Sequence, residues 1–353
     1  MSKLTDLRNK LSENEVDAIL VTNPYNRRYI TNFTGTAGVA LITKSEAFFV
    51  TDFRYVNQAK EQVPEFTIIE HQGLIEDKLA ELIGKSAIKR LGFEADHVTY
   101  ANYSLYEKKF AVELVAVKEI IESLRMIKTA EEIAILKDAA KIADDAFQHI
   151  LAFIKPGVRE IDVANELEIF MRKQGATSSS FDIIVASGYR SALPHGVASE
   201  KVIENGELVT MDYGALYKGY CSDITRTVAV GNISDELKEI YEIVLEAQVR
   251  GVNGIKPTMT GKEADALTRE YIEEQSYGEY FGHSTGHGIG LEIHEGPGLS
   301  PRSDTVLEKN MVVTVEPGIY IPEVGGCRIE DDIVLTETGN ERLTFAKKEL
   351  IQL

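Results

Sequence analysis

Two stretches of this chain share one order of elements, and that repetition restricts the fold more than any other feature. Ile154-Lys155-Pro156 ends one helical pattern, and Ile255-Lys256-Pro257 ends another over Val244–Gly254. Proline lacks an N–H and clashes with the preceding turn, so each tripeptide acts as a helix stop. A second amphipathic segment follows each stop, Glu160–Lys173 after the first and Lys262–Glu274 after the second. Each helix pair then runs into strands that end in a hairpin carrying two acidic residues. The chain beyond residue 125 therefore reads as two copies of helix, helix, strands, packed about a pseudo-two-fold axis. Such packing would carry both acid pairs to one central place. Chance likeness of the two tripeptides is the competing reading, and the shared element order counts against it.

The first hairpin spans Leu208 to Val228. A turn between Tyr217 and Lys218 sets Asp212 opposite Asp223. The second spans Met311 to Thr336, where a turn centred on Glu323 sets Glu316 opposite Glu330. Like charges directly opposed on a sheet are destabilising, so two such pairs inside apolar strands call for a cation between them. Between the hairpins lies GHSTGHGIGLEIHE, Gly282 to Glu295, with His283, His287 and His294. Its glycines argue against a helix and for close approach of backbone to something else. The stretch is also not HExxH, which excludes the zinc-helix protease pattern. Four carboxylates and one imidazole suit manganese or cobalt better than a thiolate-seeking ion, with zinc as the alternative. They hold two ions if two carboxylates bridge. Structural calcium fits poorly, because imidazole is a poor ligand for it.

The segments MDYG, SDITRT, STGHGIG, VEPGIY and RIEDDIVLT resemble, in order and context, the signatures of the pita-bread metallopeptidases. His195, His283, His294, Arg328 and a long N-terminal part carrying TNFTGTAG and VTDFRYVNQA are similar to the Xaa-Pro branch, prolidase and aminopeptidase P. The resemblance covers essentially the whole chain. It implies an α+β protein: a C-terminal pita-bread domain at 125–353, preceded by a smaller α/β creatinase-like domain at 1–124. It also implies a dinuclear metal-dependent exopeptidase that cleaves the Xaa-Pro bond at the N-terminus of dipeptides or short proline-containing peptides.

By that resemblance Asp212 and Asp223 bind one divalent ion, His287 and Glu316 bind the other, and Asp223 and Glu330 bridge them. Manganese is the first expectation, with cobalt or zinc behind it. Such ions lower the pKa of a shared water and polarise the scissile carbonyl. Thr225, two residues past Asp223 on the same strand face, is placed to orient that carboxylate. Arg328, two before Glu330, is placed to pair with a carboxylate or with substrate. His195, His283, His294 and Arg328 are the candidate catalytic residues, and His195, His294 and Tyr320 the candidate substrate contacts. The histidines and Tyr320 are the available donors for a developing oxyanion. A bond before proline has no N–H for an enzyme to hold, so it demands a dedicated pocket. Whether that pocket takes dipeptides or longer peptides stays open. GHSTGHGIGLEIHE and the compact length look like prolidases, whereas GTAG and TDFRYVNQA look like aminopeptidase P.

The N-terminal part reads as a small α/β layer domain. A helix at 3–14 and a strand at Ala18–Thr22 precede a break at Asn23-Pro24. Strands at Val39–Ile42 and Ala47–Thr51 follow. Helix and strand then alternate through Tyr55–Gln62, Phe66–Glu70, Leu74–Ile83, Arg90–Glu94 and Tyr103–Phe110. Gly35–Val39 lacks the Lys-Ser/Thr tail of a phosphate loop and reads as a turn. The domain shows no catalytic set, and His71 and His97 read as surface or packing residues. The resemblance implies a homodimer in which this domain forms the dimer surface and walls the pocket. Asn32–Ala37 is the candidate loop reaching towards the neighbour's site, or else a plain turn. Beyond the boundary, Thr129 and Glu132 form a capping box that opens a long helix bearing a partly exposed His149.

Formal net charge is −18, which disfavours nucleic acid and anionic membrane as partners. No run approaches the roughly 18 apolar residues of a membrane span, and the first residues lack a signal-peptide core. Cys221 and Cys327 are too few for a disulfide framework. A cytoplasmic enzyme fits these features. Both cysteines flank site residues, which leaves a redox or metal role beside plain packing, with packing preferred. A methionine aminopeptidase-like peptidase is disfavoured by the long N-terminal part and the three accessory histidines. A metal-free creatinase-like hydrolase, or a non-catalytic peptide-binding relative of the fold, would not need all five ligands.

Overall fold

Strand β1, Ala18–Val21, is buried along its whole length, and a strand covered on both faces belongs inside a sheet. In the computed structural model, which describes residues 3–353, β1 is indeed central. The chain divides into two units, Met1–Arg125 and Met126–Leu353. In the first, α1 (Lys3–Glu13), α2 (Pro24–Thr31), α3 (Val56–Gln62), α4 (Ile75–Lys85), α5 (Tyr100–Lys109) and α6 (Ile120–Met126) accompany a six-stranded sheet. Its strands run in the order β4 (Thr67–Glu70), β3 (Ala47–Thr51), β2 (Val39–Thr43), β1, β5 (Arg90–Glu94) and β6 (Glu113–Val117). Leu20, Leu41, Val50 and Leu91 pack with Leu79, Leu82, Tyr106 and Phe110 to form the core.

Asn23-Pro24 does not break the chain as expected; it starts α2. Asn23 Oδ1 accepts from the backbone N–H groups of Tyr25 (2.8 Å) and Asn26 (3.2 Å), and Pro24 supplies a first-turn residue with no N–H to satisfy. The turn after it is fixed by the buried Arg27, whose guanidinium donates to Gly38 O (2.7 Å) and Gly35 O (2.9 Å).

In the second unit, α7 (Ala130–Ile150) packs on α8 (Glu160–Lys173), and α9 (Asp235–Gly254) on α10 (Gly261–Glu274). The capping box at Thr129 and Glu132 is present. Helix α9 starts nine residues before the expected Val244, because Ser234 caps it through Leu237 N. The strands after α8 are β7 (Ser178–Ser179), β8 (Ile184–Ser187), β9 (Glu207–Tyr213), β10 (Ala215–Tyr217), β11 (Tyr220–Cys221) and β12 (Ile224–Val230). Those after α10 are β13 (Gly286–Gly288), β14 (Glu295–Leu299), β15 (Val312–Val315), β16 (Gly318–Ile321), β17 (Gly325–Arg328), β18 (Asp331–Leu335) and β19 (Asn340–Arg342).

The repeat is visible in the ladders. Strands β8, β9 and β12 form an antiparallel triplet with β9 in the middle, and β13, β15 and β18 form another with β15 in the middle. Each triplet holds one acid at the end of its middle strand, Asp212 or Glu316, and one just before its last strand, Asp223 or Glu330. The halves meet where Glu330 N donates to Thr225 O (3.1 Å) and Arg226 donates to Glu330 O and to Asp331 Oδ1. That junction brings the two acid pairs together.

Candidate metal centre

The expected register of the first hairpin is wrong by two residues. Its turn is Lys218-Gly219, both at positive φ (49° and 86°), the two-residue geometry that suits a twisted hairpin. Tyr217 therefore pairs with Tyr220, and Asp212 lies opposite Thr225 instead of Asp223. A shift of two keeps side chains on their face, so Asp212 and Asp223 still share one side of the sheet, diagonally. In the second hairpin, β15–β18 and β16–β17 keep a common register that sets Glu316 opposite Glu330. Neither residue pairs with the other through its own backbone: Glu316 N donates to Thr285 O (2.7 Å), and Glu330 N to Thr225 O.

The histidine stretch forms β13 and its flanks, and its glycines do allow close approach. A Cβ on Gly286 would lie 2.0 Å from Thr314 O, and one on Gly288 would lie 2.0 Å from Gly296 O. His287 Nδ1 faces Gly288 O at 3.0 Å. A carbonyl only accepts, so Nδ1 carries hydrogen and Nε2 is turned to the acids. There it lies 3.3 Å from Glu316 Oε1 and 3.8 Å from Asp223 Oδ2. One ligand atom each from Asp223, His287 and Glu330 lie within 4.8 Å of one another.

Asp212 Oδ1, Asp223 Oδ1, Glu330 Oε1 and Asp332 Oδ1 are buried without a hydrogen-bond partner. Each buried acceptor left unpaired costs about 1–3 kcal/mol, and buried like charges add to that. Burial and the neighbouring Glu330 and Asp212 push the Asp223 carboxyl well above its ordinary pKa. Burial and Glu316 do the same to Glu330, and burial drives Asp332 up. Burial also works to raise Glu316, but the neighbouring His287 overrides it and holds that carboxyl below its ordinary range. Asp223 and Glu330, each with an orphaned oxygen, cluster with an imidazole nitrogen, and that donor set fits a divalent cation.

Asp212, Asp223, His287, Glu316, Arg328, His195, His283 and His294 line one cavity of about 350 Å³. Thr225 orients Glu330 and not Asp223: its hydroxyl donates to Glu330 Oε2 at 2.7 Å. Arg328 donates to Asp212 Oδ2 (2.6 Å), Tyr320 Oη (2.7 Å), Pro194 O (3.1 Å) and Thr225 Oγ1 (3.1 Å). Tyr320 Oη also lies 2.8 Å from His283 Nε2. His283 Nδ1 meets Ser284 O at 2.8 Å, so Nε2 is left to accept the tyrosine hydrogen. Burial lowers the pKa of His283 in keeping with that neutral state. The His294 ring lies 4.3 Å from that of His287, edge to face, and His195 stands exposed at the cavity wall.

Asp332 was missed, though it stands two residues past Glu330 and the period of a strand puts both on one face. Its Oδ2 accepts from Asp223 N at 3.0 Å. The apolar wall of Phe181, Ile184 and Ile293 was missed as well, and no spacing signal marks it. Both cysteines are free and buried.

Residues 134–337 match metallopeptidase family M24, and residues 3–127 match the creatinase/prolidase N-terminal domain. A solved Xaa-Pro dipeptidase from Bacillus anthracis superposes with a TM-score of 0.99 at 65% identity, covering 99% of both chains. The Xaa-Pro dipeptidase of Pyrococcus furiosus is 44% identical over 99% of this chain and 99% of its own length. An X-Pro aminopeptidase structure from Thermotoga maritima is 41% identical with a TM-score of 0.91, covering 98% of this chain and all of its own.

Proposed function

The chain belongs to metallopeptidase family M24, and from that premise we infer a preference for dipeptides and a role for each site residue. It is a metallopeptidase, an exopeptidase of the Xaa-Pro type. Two relatives that bear the dipeptidase name, and a cavity of only about 350 Å³, favour Xaa-Pro dipeptides over longer peptides. The observation that carries the reading is the set of unpaired, buried carboxylate oxygens gathered about His287 at the wall of that cavity.

Asp212, Asp223, His287, Glu316 and Glu330 would hold two divalent ions, with Asp223 and Glu330 shared between them and manganese the first choice. When bound, such ions supply a water of lowered pKa and a Lewis acid for the scissile carbonyl. The other residues act through their own hydrogen bonds. Arg328 holds Asp212 and Tyr320 in place. Tyr320 and His283 form a donor–acceptor pair beside the cavity: the tyrosine hydrogen is the one available to charge on the carbonyl oxygen, and His283 Nε2 is the acceptor that takes a proton released by the attacking water and returns it to the departing proline nitrogen. His195 and His294, on the walls, bind the dipeptide carboxylate. Phe181, Ile184 and Ile293 receive its apolar parts and exclude water.

We assign the first unit to dimer formation and to limiting substrate length; the match to the creatinase/prolidase N-terminal domain supports this. Among the described residues no helix is long and apolar enough to cross a membrane. A cytoplasmic location is supported by two unpaired, buried cysteines. The test is turnover of Xaa-Pro against Xaa-Pro-Yaa-Zaa after manganese loading, with metal content measured in parallel. Faster cleavage of the dipeptide with two ions per chain is expected. Preference for the tetrapeptide would overturn the dipeptidase assignment, and activity without metal would overturn the ligand set.

A further inference from the structure

The loop that bears His283 is gripped from behind by α10, through residues that take no part in the cavity. Asp265 and Arg269 stand four apart on that helix and form a two-pronged ion pair, Nε to Oδ2 at 2.6 Å and Nη2 to Oδ1 at 2.9 Å. Asp265 is 1% exposed, yet neither residue lines the cavity. A buried pair of this kind rarely adds stability over an apolar replacement, so its use has to be sought in what it holds.

It holds three backbone points within five residues. Arg269 donates to Phe281 O (3.1 Å) and to His283 O (2.7 Å). Asp265 Oδ1 accepts from Thr285 N (3.0 Å). The guanidinium also lies 4.3 Å over the Phe281 ring, and that ring meets the His283 ring edge-on, 5.1 Å between centroids at 89°. The two ends of the pair serve different neighbours. The aspartate end fixes Thr285, whose carbonyl receives Glu316 N. The arginine end fixes both the carbonyl of His283 and the ring against which its imidazole rests.

We propose that Asp265 and Arg269 are positioning residues, with Arg269 setting the His283 imidazole against the Tyr320 hydroxyl. This rests on the part given to His283 in the reaction above. Removing the guanidinium would free His283 to turn while Asp265 still holds Thr285 and, through it, the Glu316 backbone. The loss should therefore fall on turnover and leave metal content alone.

The test uses the full chain with Arg269→Gln, and Asp265→Asn with Arg269→Gln as the neutral pair should the lone carboxylate prevent folding. In metal-free protein the His283 ring NMR signals, identified by their loss in His283→Ala, are expected to shift while those of His195 stay. In the loaded enzyme kcat should fall about tenfold with KM within about twofold. In a His283→Ala background Arg269→Gln should cost nothing further, because residues acting as a unit are not additive. Unmoved His283 signals would overturn the proposal, as would losses that multiply in the combined variant. Wild-type turnover by His283→Ala alone would place the fault in the assignment of His283, and the pair's part in the reaction would fall with it.

Discussion

Arg328 reaches Asp212 across the junction of the two halves: Nη2 of the arginine lies 2.6 Å from Oδ2 of the aspartate, with the arginine side chain 3% exposed. The pair joins the last residue of β17 to the penultimate residue of β9, one from each copy of the repeat. It places a fixed cation beside Asp212, in a region that also gathers Glu316 and the buried Asp223, Glu330 and Asp332. Two oxygens of Asp212 thus have different fates, one held by arginine and one unpaired. The guanidinium fixes the carboxylate's direction and leaves a lone pair facing the centre.

Replacing Arg328 by methionine removes that cation and leaves Asp212 buried beside other acids. Breaking one partner of a buried pair costs about 3–5 kcal/mol. Metal-free protein should show nearly all of this loss in thermal unfolding. The metal-loaded form should lose less, because bound ions neutralise the same carboxylate. Equal shifts of melting temperature in both forms would separate Arg328 from the metal centre.

Thr225→Val keeps the shape and deletes one hydroxyl. That hydroxyl donates to Glu330 Oε2 and accepts from Arg328 Nε. Loss of such an orienting bond typically weakens metal affinity by about 10–100-fold. Metal titration of the stripped variant measures it, with the fold monitored by circular dichroism. Affinity equal to wild type would mean that Glu330 is oriented without the threonine.

The gathering of the acids was legible in the sequence because strands repeat every two residues and hairpins tie distant acids together. Glu316 and Glu330 were placed correctly since the ladders on both sides of them keep one register. Asp212 and Asp223 were misaligned because Lys218-Gly219, a two-residue turn with positive φ at both positions, lies one residue later than assumed. The error was even, so the facing of the side chains survived it. The helix after Asn23-Pro24 is hard to read from the sequence because proline, a helix breaker, is also a favoured first helical residue behind an asparagine cap. Phe181 and Ile293 come from loops whose course depends on tertiary packing, and no local periodicity encodes that course. Arg269 escaped notice for the same reason: its partners are carbonyls 12 and 14 residues away, contacts that only the folded loop creates.

Cys221 and Cys327 should be inert in the native protein. Burial pushes both thiols up to about 12, so at pH 8 they remain protonated and out of reach, and the reactive species is the thiolate. Treatment with a chromogenic thiol reagent at pH 8 should release no signal from the folded chain and two equivalents after unfolding. Prompt reaction of a native cysteine would reopen a redox role for that residue.

Lys128 and Glu295 form an enclosed pair in the second unit, Nζ to Oε1 at 2.6 Å with side chains 1% and 7% exposed. The lysine stands just ahead of the cap of α7, and the glutamate directly follows His294 at the start of β14. Lys128→Met removes the ammonium 2.6 Å from the enclosed Glu295 carboxylate, a loss of up to about 3–5 kcal/mol. Adding Glu295→Leu removes the remaining charge as well, and apolar replacement of a whole buried pair is often neutral in stability. Urea unfolding of the single variant should therefore show a clear drop in midpoint, and the double variant should recover most of it. The same double variant separates stability from positioning. If Glu295 also fixes the backbone that presents His294, the refolded double variant will stay stable but bind dipeptide more weakly, seen as a raised KM with kcat nearly unchanged. Full recovery of both stability and KM would leave the pair with no role beyond its own charge balance.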